Sequence, residues 1–197
     1  MLFNEPIRLP LQQADVIYYQ NFFAPSVADK YFEILYKEIP WQQDNITVFG
    51  KTYPQPRLTA FFANNNLPYS YSGITMTPHL FSPTLIEIKT AIENIADIEF
   101  TSCLANLYRN GQDSNGWHSD NESSLGKHPL IASISLGATR RFALKHKSNK
   151  NWKHSIDLKH GSLLIMKGET QEHWLHQIPK TKKVVGSRLN LTLRIIK

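Results

Sequence analysis

The chain has 197 residues, 41% hydrophobic and 11% aromatic, which is one domain's worth of sequence, enough to bury a core, and excludes disorder as the default. Its single cysteine, Cys103, rules out an internal disulfide and points to a reducing compartment. The 22 basic side chains against 16 acidic ones give a net charge of +6, a balance that favours a polyanionic partner, nucleic acid above all, with a solvated surface as the competing reading.

The opening MLFNEPIRLPLQQ carries Glu5 and Pro6 and lacks a long apolar run, so it does not read as a signal peptide. Nor does any stretch reach the roughly 20 apolar residues that span a bilayer. A cytoplasmic protein, or a nuclear one in a eukaryotic cell, is expected, monomeric and without a membrane partner. Neither repeats nor a linker-like change of composition divide the chain.

Two helices are predicted in the first half. Ser26 can cap a segment in which Ala28, Tyr31, Phe32, Leu35 and Ile39 keep helical spacing until Pro40,. Ser82 before Pro83 starts another, with Leu85, Ile88, Ile92 and Ile95 on one apolar face,. From about Phe100 the pattern becomes short strands: 103–109, 130–136, 141–145, 162–166 and 188–196. Turn residues stand at Asn110-Gly111, Asn115-Gly116, Gly137, Gly161 and Gly186,. Helices followed by many strands predict an α+β, mainly β, sandwich or barrel with the helices on one side.

The last strand places Leu189, Leu191 and Leu193 on one face and Arg188, Asn190, Thr192 and Arg194 on the other,. Alternation alone favours an outer strand with a wet face. A barrel with a polar interior around a charged ligand is the alternative.

His118-Ser119-Asp120 follows the loop GQDSNG. In extended chain its histidine and aspartate point the same way and can share one ion. A third ligand must come from afar; His160, His173 and His176 are the candidates. Two imidazoles and a carboxylate on one face of an octahedral ion leave three positions free, as ferrous oxygenases require, although zinc accepts the same donors. Arg188 and Arg194 follow on one strand face. A guanidinium grips a carboxylate through two parallel hydrogen bonds, so a diacid chelating the metal at one end would find a partner at the other.

With these residues the chain resembles the AlkB family of iron(II)/2-oxoglutarate dioxygenases, and within it the DNA-acting homologues two and three, from about Val48 to Ile196. The motifs NLYRNGQDSNGWHSDNE, HWLHQIP and SRLNLTLR carry the resemblance. It implies a single domain over 1–197: a double-stranded β-helix (jelly roll) core over about 100–197 and a nucleotide-recognition lid over about 42–80. It further implies iron(II) held by His118, Asp120 and His176, with 2-oxoglutarate and oxygen as cosubstrates. Asn106, Tyr108, Arg188, Asn190 and Arg194 would bind the cosubstrate, Arg194 also standing at the iron centre.

On the substrate side the resemblance implies Arg57, Tyr69, Tyr71 and Ser72 around the damaged base and Glu122 reading its amino group. Phe49, in Val48-Phe49-Gly50, would tip a hairpin finger entering duplex DNA. The basic run from Arg140 to Lys153 would meet backbone phosphates. The implied activity is oxidative demethylation of 1-methyladenine or 3-methylcytosine in DNA, releasing formaldehyde and succinate. An RNA demethylase of the same chemistry, or a non-catalytic nucleic-acid-binding domain, is the alternative.

Overall fold

The computed structural model describes residues 5–48, 50–65, 69–71 and 74–196. In chain order the first half comprises β1 (Ile7–Arg8), β2 (Asp15–Tyr19), α1 (Pro25–Glu38), β3 (Asn45–Val48), β4 (Lys51–Pro54), β5 (Leu58–Ala63), β6 (Tyr69–Tyr71), β7 (Ile74–Met76) and α2 (Pro83–Ala96). The second half comprises β8 (Ser102–Tyr108), β9 (Asn115–His118), a 3-10 turn (Ser123–Leu125), β10 (Ile131–Gly137), β11 (Arg140–His146), β12 (Lys153–Leu158), β13 (Ser162–Lys167), α3 (Thr170–His173), β14 (Trp174–Ile178) and β15 (Arg188–Arg194).

Seven strands form one sheet in the order β1-β2-β13-β10-β15-β8-β5, and four form a second, β12-β11-β14-β9. Alternation along each strand divides the core in two. Leu163 and Ile165 turn outward under the helices, where they meet Leu35, Ile88, Ile92 and Phe100. Leu164 and Met166, one residue out of phase, turn inward and meet Phe142, Leu144, Leu158 and Trp174 of the second sheet,. The jelly roll with helices on one side is therefore present as expected.

The helix ends differ in how they are held. Ser82 Oγ accepts from the Leu85 amide at 3.3 Å and caps α2 as its sequence predicts,. Ser26 does not cap α1: that helix begins at Pro25 with Ala24 in the cap position and no side-chain cap, because proline already supplies a helical φ one residue earlier. Ile95 is 37% exposed, so the buried face of α2 ends at Ile92. Asn115-Gly116 is not a turn but the start of β9.

Strand β15 overturns the wet-face reading. It lies between β10 and β8, well inside the seven-stranded sheet, and all seven of its residues are buried. Its leucines pack under the helices, so its polar face must lie between the two sheets. Gly137 ends the neighbouring β10 with φ +83, and a Cβ there would lie 2.4 Å from Ser187 O, so only glycine allows this close approach.

The hairpin β3–β4 pairs Val48 with Lys51, and Gly50, just before β4, has φ +75,. All of β4 is exposed. Phe49 and Ser72 lie outside the described residues, and of Tyr69 and Tyr71 only the backbone, in β6, is described.

Candidate active site

The register of β14 on β9 sets His176 directly opposite His118, with ring centroids 4.2 Å apart. Asp120 follows two residues after His118, and the ligand atoms of the three side chains all lie within 4.8 Å of one another. His160 and His173, the other candidates for the third ligand, are drawn elsewhere: His160 Nδ1 accepts the Gly137 amide and His173 lies near Glu169.

Each member of the triad is prepared by a neighbour. His118 Nδ1 lies 2.8 Å from Gly116 O; a carbonyl can only accept, so the proton sits on Nδ1 and the lone pair on Nε2. The Asp120 amide donates to Gln171 Oε1 at 2.9 Å, which fixes the backbone of the carboxylate. Arg194 Nη2 donates to Asp120 Oδ1 at 2.9 Å, both side chains buried. Burial alone would raise the Asp120 carboxyl; Arg194, His176, His118 and Arg57 outweigh it and hold the group below the ordinary carboxylate range,. Burial, helped by His118, pushes His176 down to about 3, leaving a neutral imidazole able to donate its lone pair.

The triad opens into a cavity between the sheets, reached also by Asn106, Tyr108, Arg188, Asn190, Thr192 and Arg194. These are the polar residues of β8 and β15, paired Arg188 to Tyr108 and Asn190 to Asn106. Arg188 is 1% exposed. Its Nη2 donates to Ser135 Oγ at 2.8 Å, and its carbon centre lies 5.2 Å above the Tyr108 ring. Nε and Nη1 have no hydrogen-bond partner among the described residues. Burial lowers its pKa to about 10, yet it stays cationic at neutral pH. A buried cation with two unmet donors is costly unless an anion arrives.

Arg57 is placed differently from the expectation of a base-pocket residue. It is buried, and its Nε donates to Asn106 Oδ1 at 2.8 Å and Nη1 to Asn115 Oδ1 at 3.2 Å. Asn115 Nδ2 in turn contacts His118 Nε2 at 3.2 Å. Glu122 precedes the 3-10 turn and does not line the cavity. Arg140, expected at a phosphate surface, is 3% exposed and donates to the carbonyls of Asn110, Asp113 and Pro179. A guanidinium has donors enough to pin two loops through three carbonyls, and here it does that.

Sequence reasoning missed Gln171, Asn115, Ser133 and Ser135. The two serines were signalled, because they alternate with Ile134 and Leu136 along β10 and Ser133 bonds Asn190 Nδ2 at 2.8 Å. Gln171 and Asn115 carried no pattern to find.

The residues fit an iron(II) and diacid site by donor chemistry and by the unmet donors of Arg188. Comparison with known proteins agrees. The model of the 2OG-Fe(II) oxygenase superfamily matches residues 15–194, and the chain belongs to that superfamily and, within it, to the AlkB group. It is 42% identical to human alpha-ketoglutarate-dependent dioxygenase alkB homolog 3 over 95% of this chain and 68% of that protein. The cattle counterpart is 45% identical, covering 86% of this chain and 62% of its own length, so the chain spans about two thirds of the curated relatives it matches. The DNA oxidative demethylase ALKBH2 of Arabidopsis thaliana is 37% identical over 93% of this chain and 67% of its own length. Among solved structures, OsALKBH1 shares the fold with a TM-score of 0.66 at 17% identity, covering 96% of this chain and all of that one.

Proposed function

We propose that this chain is an iron(II)- and 2-oxoglutarate-dependent dioxygenase that removes alkyl groups from ring nitrogens of nucleic-acid bases, in DNA first of all. The observation that carries this is the buried Arg188 guanidinium, with unmet donors in the cavity that also holds the triad. The names of the relatives, alpha-ketoglutarate-dependent dioxygenase and DNA oxidative demethylase, support the same choice of cosubstrate and substrate.

His118 Nε2, His176 and a carboxylate oxygen of Asp120 would hold the metal. Arg194 keeps Asp120 oriented and ionised. Arg188 would bind the far carboxylate of 2-oxoglutarate through the two donors it has to spare, with Asn106, Tyr108 and Asn190 beside it. Leu104, Leu158, Met166 and Ile178 line the same cavity and exclude water from it. When bound, the metal with oxygen and 2-oxoglutarate supplies oxidation of the N-methyl carbon, which leaves as formaldehyde while the keto acid leaves as succinate and carbon dioxide.

On the substrate side, the lid over about 42–80 would take the extruded base, with Phe49, between β3 and β4 in the chain, filling the gap in the stack. Tyr69, Tyr71 and Ser72 would contact the base. A base methylated at these positions is cationic, so aromatic faces and the Glu122 carboxylate would attract it. Arg57 would act from behind, holding Asn106 and Asn115. The protein would work as a monomer in the cytoplasm or nucleus.

The test is formaldehyde release with iron(II) and 2-oxoglutarate. It uses 1-methyladenine and 3-methylcytosine in single-stranded DNA, duplex DNA and RNA, with Asp120→Ala as control. Asp120-dependent turnover on DNA is expected. Turnover on RNA alone would reassign the substrate, and binding without turnover on any oligonucleotide would leave a binding domain of the same fold.

A further inference from the structure

The outer face of the four-stranded sheet carries a second concave site, of about 730 Å³, on the side away from the metal ligands. Its floor is made of small residues, Ala143 of β11 paired with Ser155 of β12. Trp117 of β9 stands at one side. It precedes His118, so alternation sends its side chain to the outer face while the histidine faces the cavity. The ring is 40% exposed, and the Lys145 ammonium lies 4.4 Å from its centroid, so it is held in place yet open to a planar partner.

The charge is one-sided. Arg141, Lys145, Lys153 and His154 line the groove, with no acidic side chain among the described lining residues. Lys145 and Lys153 are directly opposed in register, a like-charge pair that destabilises a sheet unless an anion lies between. Arg141 has an acidic partner in Asp157 at 3.9 Å, with both side chains about 60% exposed, a pairing that water and salt weaken. Among the six basic residues of the run from Arg140 to Lys153, Arg140 is spent on loop carbonyls, whereas Arg141, Lys145 and Lys153 share this face.

We propose that this face is a second nucleic-acid surface, where the single strand flanking the modified base stacks a base on Trp117 and lays phosphates along Arg141, Lys145 and Lys153. An aromatic platform beside a cationic track is what sequence-tolerant single-strand binding requires. β9 is the edge strand of its sheet, so a strand leaving the cavity passes round one edge to reach the groove. The inference rests on the proposal that the chain acts on nucleic acid, and its test separates the two.

Binding of an unmodified 15-nucleotide single strand needs no chemistry and is measured first, by tryptophan quenching at several salt concentrations. Trp117→Phe should remove the larger part of the quenching while the fold is kept, and Trp117→Ala should weaken binding about tenfold, the worth of one stacked base. Replacing Arg141, Lys145 and Lys153 together by alanine should lower the slope of log affinity against log salt by about two, as three lost phosphate contacts to a single strand predict. With a methylated base in a trinucleotide and in a 15-mer, the wild type should prefer the longer substrate through KM, and the triple variant should lose that preference. An unaltered salt slope and an unaltered length preference in the triple variant would overturn the surface. Loss of turnover on every substrate with these binding effects intact would instead strike the dealkylase proposal and leave the surface standing.

Discussion

Replacing Arg188 by methionine separates stability from ligand binding. Without cosubstrate the guanidinium bonds Ser135, and two of its buried donors are unmet among the described residues. Each unmet donor costs about 1–3 kcal/mol, and the lost bond to Ser135 is worth roughly 1.5–3 kcal/mol. Exchanging a buried charge for an apolar side chain of similar length is commonly neutral or stabilising. Arg188→Met should therefore leave the ligand-free protein within about 2 kcal/mol of wild type. The same change would remove the two charge-assisted bonds proposed to a carboxylate, roughly 3–5 kcal/mol or two to four orders of magnitude in affinity. Thermal unfolding with manganese(II) in place of iron keeps turnover out of the measurement. At 2-oxoglutarate 100-fold above its Kd, wild type should gain about 2.7 kcal/mol, roughly 5–10 °C in Tm for a chain of this size. The variant should gain less than about 2 °C. A variant that keeps most of the ligand-induced shift, or a ligand-free form that loses much more than about 3 kcal/mol, would refute the assignment of Arg188 to the diacid.

Asp120→Ala should abolish metal binding and, because it leaves Arg194 buried without its carboxylate partner, lower metal-free stability by about 3–5 kcal/mol in urea unfolding. Arg140→Met severs three bonds to loop carbonyls and should cost about 3 kcal/mol while leaving the salt dependence of DNA binding unchanged. Burial raises Asp113, but the bonds from Arg109 outweigh it and depress the carboxyl. The stability this contributes is present above the unfolded carboxylate pKa of about 3.9 and is lost as pH falls through the lower folded value, so Arg109→Ala should move the acid-unfolding midpoint upward. The Cys103 thiol is fully buried and pushed up to about 12; it should resist iodoacetamide at pH 8 in the native protein and react only on unfolding.

Much of the site was legible along the chain because its parts are local. His118 and Asp120 share a side through two-residue spacing, and Ser82 caps α2 through a contact three residues long. The alternation of β15 was equally plain, leucines against Arg188, Asn190, Thr192 and Arg194. Alternation has no sign, however: it says that two faces differ, not which one meets water. Only the seven-stranded order, with β10 and β8 on either side and helices under the leucines, turns the polar face into a cavity wall.

The same limit explains Arg140 and Arg57. In sequence Arg140 is one cation of a basic run, and Arg57 is a base-pocket candidate through resemblance alone. What a guanidinium bonds depends on which carbonyls and amides the fold brings near it, and those lie up to 58 positions away in the Arg57–Asn115 pair. The choice of His176 over His173 and His160 likewise came from resemblance, and its physical cause is register: β14 pairs His176, and no other histidine, with His118. Short-range spacing and periodicity were thus set by the amino-acid order itself. Burial, ionisation and the meeting of distant side chains were decided by strand pairing, because each depends on what lies across the sheet.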